Sequence, residues 1–303
     1  MYNKNVRYEN DYYLVERNPM TIVIGVDCGN SLVLASDSKA SSKTDSTKIM
    51  NAPKLFYEEP IPGYLSFILG GAGNPEFIDQ ARDGIFENCC RKLKELKDFK
   101  EICEKVVQKI RGKYVNGRIE NMGLKLENKE ICTICDNFEL SLIVGVLVNG
   151  KIGLFTVSSN GYARPVYTYT PIGTSIGKGL TQFLFKKIND INMSFGDSLN
   201  FNLAINSILY IIEEVKEYDD FCGGKIQLKI LSKNKKWNDR ETQAIVDFFN
   251  ENIYPNINEG YKLKEKLEEK KIDYARDDYF KDLEKASQPV KRDDKQKPSS
   301  DET

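Results

Sequence analysis

Histidine is absent from the 303 residues of this chain. Its absence excludes Ser-His-Asp and Cys-His nucleophilic catalysis, imidazole general bases and every metal site built on an imidazole. A base in this chain has to be a carboxylate, a lysine or an amine. An excess of one charge sign is missing as well. The 44 Lys+Arg stand against 45 Asp+Glu, a balance that points to neither nucleic acid nor an anionic membrane as partner. No apolar run reaches the roughly 18 residues of a membrane span. The stretch "FELSLIVGVLVNGKIGLF" is broken by Asn149, Gly150 and Lys151. The opening "MYNKNVRYENDYYLVERNP" is polar and has no apolar core of the kind a secretory signal needs. The 7 cysteines are scattered, as in a reducing compartment, and a cytoplasmic location is expected.

What is present is a regular alternation of strand and helix signals. Residues 22–26 and 31–36 are apolar and rich in β-branched side chains, and Asp27-Cys28-Gly29-Asn30 joins them in a hairpin pattern. The polar stretch "SKASSKTDSTKIMNAPK" reads as loop, followed by "KLFYEE" and "GYLSFILGGAG" as two short strands. From Pro75 to about Leu96, Phe77, Ile78, Ala81, Ile85 and Phe86 recur at helical spacing, with Asn74 as N-cap and Pro75 in the first helical position. A second helix is expected from about Phe99 to Lys113. "ELSLIVGVLVNGKIGLFTVSS" reads as two strands around an Asn-Gly turn, and "ARPVYTYTPIG" as one more strand. Helices follow over "GKGLTQFLFKKIND" and "SLNFNLAINSILYIIEEVKEYD"; after the Cys222-Gly223-Gly224 break comes the strand "KIQLKILSKN".

Hairpin strands alternating with helix pairs fit stacked antiparallel sheets flanked by helices, an α+β, four-layer αββα sandwich. A wound parallel sheet does not fit, because the strands arrive without helical crossovers. The expected organisation is residues 1–20 as a leader or a mis-set start, 21–236 as the sandwich domain, 237–285 as a helical C-terminal extension and 286–303 as a disordered tail.

Six short motifs stand out on this frame. "TIVIGV" opens on Thr21, and "LVLASDSKA" carries Asp37, sixteen positions on, and Lys39. "KLF" begins with Lys54, "FILGGAGN" holds Gly70 and Gly71, "PIGTSIGKG" holds Thr174, and "EYDDFCGG" holds Asp219, Cys222 and Gly223. In this order, over roughly residues 21–236, they resemble the proteasome β-subunit family of the N-terminal-nucleophile hydrolases. The resemblance implies Thr21 as nucleophile and, through its α-amine, as base. It implies Asp37 and Lys54 as its closest helpers, and Lys39 where the family carries a basic residue. The oxyanion glycine falls on Gly70 or Gly71, and Thr174, Asp219, Cys222 and Gly223 take supporting places. The resemblance implies a peptide or protein as substrate, no metal or cofactor, and assembly into a homo-oligomer or ring as an expectation to test.

The chemistry is coherent without histidine. An N-terminal threonine carries its own amine about 3 Å from its hydroxyl and can use it as the general base, directly or through a water. A neighbouring ammonium lowers the hydroxyl pKa and keeps the amine neutral, and an aspartate orients that ammonium. A backbone N–H on a glycine stabilises the tetrahedral oxyanion, a contribution of about 3–4 kcal/mol. Asp219 sits near a helix C-terminus, where a carboxylate opposes the dipole; the α-amine or the Thr174 hydroxyl is its expected partner.

Two positions depart from the family pattern. Met20 stands where self-cleaving members carry glycine, and Cys222 replaces serine, a better hydrogen bonder. Exposure of Thr21 is expected either by autocatalysis or, if translation starts at Met20, by methionine aminopeptidase. The leading expectation is a threonine-type peptidase or amidase acting through an acyl-threonine ester. An inactive proteasome-like structural subunit and a peptide ligase resembling the connectases are the alternatives within the fold. "IGVDCGNS" also resembles the phosphate loop of actin-like ATPases and pantothenate kinases, which would make Asp27, Gly29 and Asn30 an ATP site. Cys132-x-x-Cys135 lacks a second pair at zinc-ribbon spacing, since Cys89, Cys90 and Cys103 lie on predicted helices; all are read as free thiols.

Overall fold

The computed structural model of the chain describes residues 21–41, 48–49, 52–89, 93–122, 134, 138–194, 201–220 and 222–256. Strands β1 (Ile22–Asp27) and β2 (Ser31–Ser36) form the first hairpin, and β3 (Ala40–Ser41) and β4 (Lys48–Ile49) a short ribbon. Then come β5 (Leu55–Ile61), β6 (Leu65–Gly73), α1 (Pro75–Cys89), α2 (Leu96–Met122), β7 (Leu140–Val148) and β8 (Lys151–Val157). The order closes with β9 (Ala163–Val166), β10 (Tyr169–Gly173), α3 (Ser175–Ser194), α4 (Phe201–Tyr218), β11 (Gln227–Ser232) and α5 (Asp239–Phe248).

Two antiparallel sheets organise these elements, one in the order β10-β1-β2-β11 and the other β5-β6-β7-β8-β9. β1 and β2 are apolar on both faces because both faces are covered. On one side Val23, Leu32 and Leu34 meet Leu55, Ile68, Ile143 and Leu154 of the second sheet. On the other, α4 packs on β1 and β2, and α3 on β10. The far side of the second sheet, through Phe67, Leu69, Val144 and Val146, packs on Ile78, Ala81 and Ile85 of α1 and on Phe99, Cys103 and Val107 of α2. The result is an α+β sandwich of two stacked sheets carrying helices. The sheets approach closely at glycines: a Cβ on Gly25 would lie 2.7 Å from Ile143 Cγ2, and one on Gly145 would lie 2.8 Å from Leu32 Cδ1.

Local signals explain several element ends. Asn74 Oδ1 accepts from Glu76 N at 2.9 Å and starts α1 at Pro75. Asn149 and Gly150 both take positive φ, 49° and 74°, as the tight turn between β7 and β8 requires. Other expectations need correction. α1 stops at Cys89, well short of Leu96. α2 begins at Leu96, where Asp98 Oδ2 accepts from Lys94 N and Glu95 N at 2.9 and 3.1 Å. It runs past Lys113 to Met122, and Tyr114 packs edge-on to Phe77 and against Phe138. "ARPVYTYTPIG" is two strands in different sheets, not one; the chain crosses at Tyr167–Thr168, where Asp27 N donates to Thr168 O at 2.7 Å. The polar stretch after Asp37 contains the β3–β4 ribbon, which its composition does not announce.

The chain divides into two compact units, residues 1–249 and 250–303. In the second, the described residues are 250–256, where Asn256 Nδ2 donates to Asn252 O at 2.6 Å. The expected leader (1–20), the rest of the expected extension and the expected tail lie outside the described residues. Among the described residues no helix is long and apolar enough to cross a membrane.

The close sheet contact is testable by a double-mutant cycle. Gly25→Ala should cost about 1–3 kcal/mol by overpacking against Ile143, and the cost should shrink in an Ile143→Ala background. Urea unfolding of the four proteins measures it; strictly additive changes would contradict the predicted contact.

Candidate active site

β1 and β2 pair with Val23 opposite Ser36. Continued by one residue, that register sets Asp37, the residue after β2, opposite Ile22, which directly follows Thr21. Thr21 Oγ1 donates to Asp37 Oδ1 at 2.5 Å, and Ile22 N donates to the same oxygen at 3.1 Å. The other sheet contributes Lys54, the residue before β5. Its Nζ donates to Thr21 Oγ1 at 2.5 Å, to Asp37 Oδ1 at 2.9 Å and to Lys39 O at 2.5 Å. An ammonium has three protons to donate, and all three are placed. Thr21, Asp37 and Lys54 are all buried.

The electrostatics follow from that burial. Desolvation holds the Lys54 ammonium below the ordinary lysine range, and the Asp37 carboxylate opposes the shift without cancelling it. The second carboxylate oxygen, Asp37 Oδ2, accepts from Gly223 N at 3.0 Å and Lys39 N at 3.3 Å. Asp37 is thereby fixed from both strand ends and from the loop before β11.

That loop is built on small residues. Gly223 O accepts from Ser38 N and Lys39 N at 3.1 and 2.9 Å. Gly224 has a φ of 76°, and a Cβ there would lie 2.5 Å from Ser38 Oγ, which accepts from Lys225 N at 2.8 Å. The Lys39 ammonium donates to Asp220 O and, at 3.4 Å, to Cys222 O. Lys39 therefore meets Lys54 and Asp37 through its backbone, and its ammonium holds the loop. Cys222 is buried, and desolvation, then the Asp37 and Asp219 carboxylates, push its thiol well up. It stays a neutral thiol and is no thiolate nucleophile.

Thr174 caps α3: its Oγ1 accepts from Gly177 N at 2.9 Å and donates to Asp219 Oδ2. Asp219 thus ends α4 but lies at the start of α3, where the helix dipole favours a carboxylate. Thr174 N also donates to Thr21 O at 3.1 Å. Next to it Gly173 has a φ of 129°, and a Cβ would fall 1.8 Å from Thr21 O. Only glycine fits there.

Gly70 and Gly71 are consecutive in β6 and face opposite ways. Gly70 lies across from Leu55, and its α-carbon abuts Val23 and Leu55 on the side of the sheet that faces Thr21's strand. Gly71 abuts Ile78 of α1, on the opposite side.

Two further residues join the site without having been singled out from the sequence. Ser38 receives the loop as described. Gln227, at the head of β11, accepts Lys54 N at 2.8 Å and Leu55 N at 3.3 Å on Oε1 and donates from Nε2 to Ala52 O at 2.5 Å. The sequence signal for Gln227 was faint: an uncharged polar residue entering an apolar strand.

Elsewhere, Asp27-Cys28-Gly29-Asn30 closes the first hairpin. Gly29 N donates to Asp27 Oδ1 at 2.8 Å, Cys28 N to Ser31 O at 2.9 Å and Asn30 N to Cys28 O at 2.9 Å. The amides a phosphate loop would present are engaged in the turn. Burial, with Asp27 nearby, pushes the Cys28 thiol up to about 12. Cys89 and Cys103 are buried; Cys90, Cys132 and Cys135 lie outside the described residues. Among the described residues no group of three or more acidic or cysteine side chains could hold a metal ion.

No family model and no curated protein matches the chain. Solved structures do. A mutant of Anbu, Gly-1, from Hyphomicrobium sp. strain MC1 is 15% identical, with 83% of this chain and 97% of that chain covered at a TM-score of 0.57. Anbu (ancestral beta-subunit) from Yersinia bercovieri is 15% identical over 80% of this chain and 94% of that one, at 0.54. A helical assembly of the Anbu complex from Pseudomonas aeruginosa is 16% identical over 79% and 96%, at 0.50. At this identity the likeness is one of fold.

The buried Lys54–Asp37 pair makes a stability prediction independent of activity. Lys54→Met strands a buried carboxylate and should cost about 3–5 kcal/mol, whereas Asp37→Asn with Lys54→Met should cost less than Lys54→Met alone. Denaturant unfolding decides; a double variant less stable than the single would refute the pairing. Gly173→Ala, in turn, should disrupt the β1–β10 pairing at Thr21 and lower the melting temperature by several degrees.

Proposed function

We propose that the chain is a threonine-type peptidase or amidase of the proteasome-like N-terminal-nucleophile kind, active once Thr21 is the N-terminal residue. The observation that carries the proposal is the buried Thr21–Lys54–Asp37 triangle, with all three distances at or below 2.9 Å. On this reading the four-layer αββα arrangement is the scaffold, and the Anbu likeness supports it at the level of fold. A homo-oligomer and a cytoplasmic setting belong to the same proposal; one of the similar structures is described as a helical assembly.

The chemistry runs in two steps. The released α-amine of Thr21 takes the hydroxyl proton, directly or through a water, as Oγ1 attacks the scissile carbonyl carbon. The Lys54 ammonium, donating to Oγ1, stabilises the developing alkoxide, and Asp37 keeps that ammonium in place. Gly70 is the better oxyanion candidate of the glycine pair, because it lies opposite Leu55, the neighbour of Lys54, and against Val23 of Thr21's strand. The tetrahedral intermediate collapses, the amine leaves with the proton held by the α-amine, and an acyl ester remains on Oγ1. A water then adds to the ester carbonyl and gives its proton to the α-amine, which passes it to Oγ1 as the C–Oγ1 bond breaks, releasing the acid and the free threonine. An incoming amine in place of that water would give ligation instead.

The test is the pH dependence of acylation by a peptidyl β-lactone, on a chain whose first residue is Thr21. The rate should rise as the α-amine loses its proton, at about 7.7–8.0 in an unperturbed group. It should fall again as Lys54 deprotonates, below the ordinary lysine value of 10.5 because burial disfavours the ammonium. Thr21→Ala should abolish labelling, and Lys54→Ala should slow it by about 10²–10⁴-fold. Labelling that survives Thr21→Ala would sink the proposal.

A further inference from the structure

The triangle is assembled from two sheets: Thr21 and Asp37 flank strands of one, whereas Lys54 precedes β5 of the other. β11 and β5 are the edge strands of those sheets and do not pair with each other. Something has to hold Lys54 in register with its partners across that gap. The segment Ala52–Leu55 contains Pro53, which has no N–H, so three amide protons need partners. Ala52 N finds Ser38 O at 2.8 Å, and Lys54 N and Leu55 N both find Gln227 Oε1, at 2.8 and 3.3 Å. The same carboxamide returns a hydrogen bond, Nε2 to Ala52 O at 2.5 Å. Gln227 itself lies opposite Ser36, one residue before Asp37.

We propose that Gln227 is the positioning residue of Lys54, its carboxamide tying the backbone on either side of the lysine to the sheet that carries Thr21 and Asp37. The assignment of that site as catalytic rests on the reading above; the strap itself does not. A carboxamide suits the task because one planar group both accepts and donates. A carboxylate would keep the acceptor and lose the donor, and an apolar isostere would lose both, leaving buried backbone groups without partners.

The experiment titrates the Lys54 ammonium in the full-length chain by lysine-selective 13Cε NMR, with the resonance assigned by its loss in Lys54→Arg. In Gln227→Met the released segment lets water reach the ammonium, so the titration should move up toward the ordinary lysine range. In Gln227→Glu the added carboxylate should move it up as well, and thermal unfolding establishes that each variant is folded. A merely structural role would lower the melting temperature and leave the titration where it was. A folded Gln227→Met whose Lys54 titrates like the parent's overturns the proposal; where that variant does not fold, an unmoved titration in Gln227→Glu does so. Neither result depends on Thr21 reacting. A parent chain that never takes up β-lactone would therefore sink the enzymatic reading without touching this one. Where the parent does react, Gln227→Met should slow acylation by about tenfold, equivalent to about 1.4 kcal/mol.

Discussion

The structure hinges on one buried ion pair, Lys54 with Asp37, made across the junction of two sheets. Removing two charges from water costs several kcal/mol per ion, and the attraction offsets that only with good geometry and full hydrogen bonding. Both conditions are met. The ammonium places its three protons on Thr21, Asp37 and Lys39, and the carboxylate accepts from Ile22 N, Lys39 N and Gly223 N besides. Everything nearby serves the same end. Gly173 lets β10 close on the Thr21 carbonyl, the Gly223-Gly224 turn brings an amide to Asp37, and the Lys39 ammonium holds the carbonyls of that turn.

A pair so placed does more than hold sheets together. It sets a hydroxyl beside a cation whose charge is disfavoured by burial, where electrostatic interactions are strongest. In a chain without histidine, the proposed function makes this the route to an activated oxygen nucleophile. The cost of such a site is structural dependence. Removing one partner leaves an unpaired buried charge, so loss of stability and loss of activity have to be separated experimentally.

Much of this was legible from residue patterns, and the reason is local. The β1–β2 hairpin announces itself by apolar runs around Asp27–Asn30, and its antiparallel register then sets Asp37 opposite Ile22, next to Thr21. Lys54 was marked by the resemblance of "KLF" to the family motif, and Asn74 and Asn149-Gly150 by cap and turn chemistry. What was not legible is long-range. "ARPVYTYTPIG" looks continuous because both of its strands are extended, and only tertiary contacts send them to different sheets. The length of α2 depends on Tyr114 meeting Phe77 and Phe138, residues distant in sequence. The destination of the Lys39 ammonium and the grip of Gln227 depend on partners some 170 to 180 positions away, which no periodicity reports.

The central claim is that Thr21 is the nucleophile and that its own amine is the base. Intact mass spectrometry after treatment with a peptide epoxyketone tests it most directly, comparing chains that begin at Thr21 with chains in which that amine stays acylated. The account predicts one probe mass on the chain beginning at Thr21, placed on that residue by peptide mapping, and none on the acylated chain or on Thr21→Ala. Equal labelling of the acylated chain, or a probe found on any other residue, would contradict it.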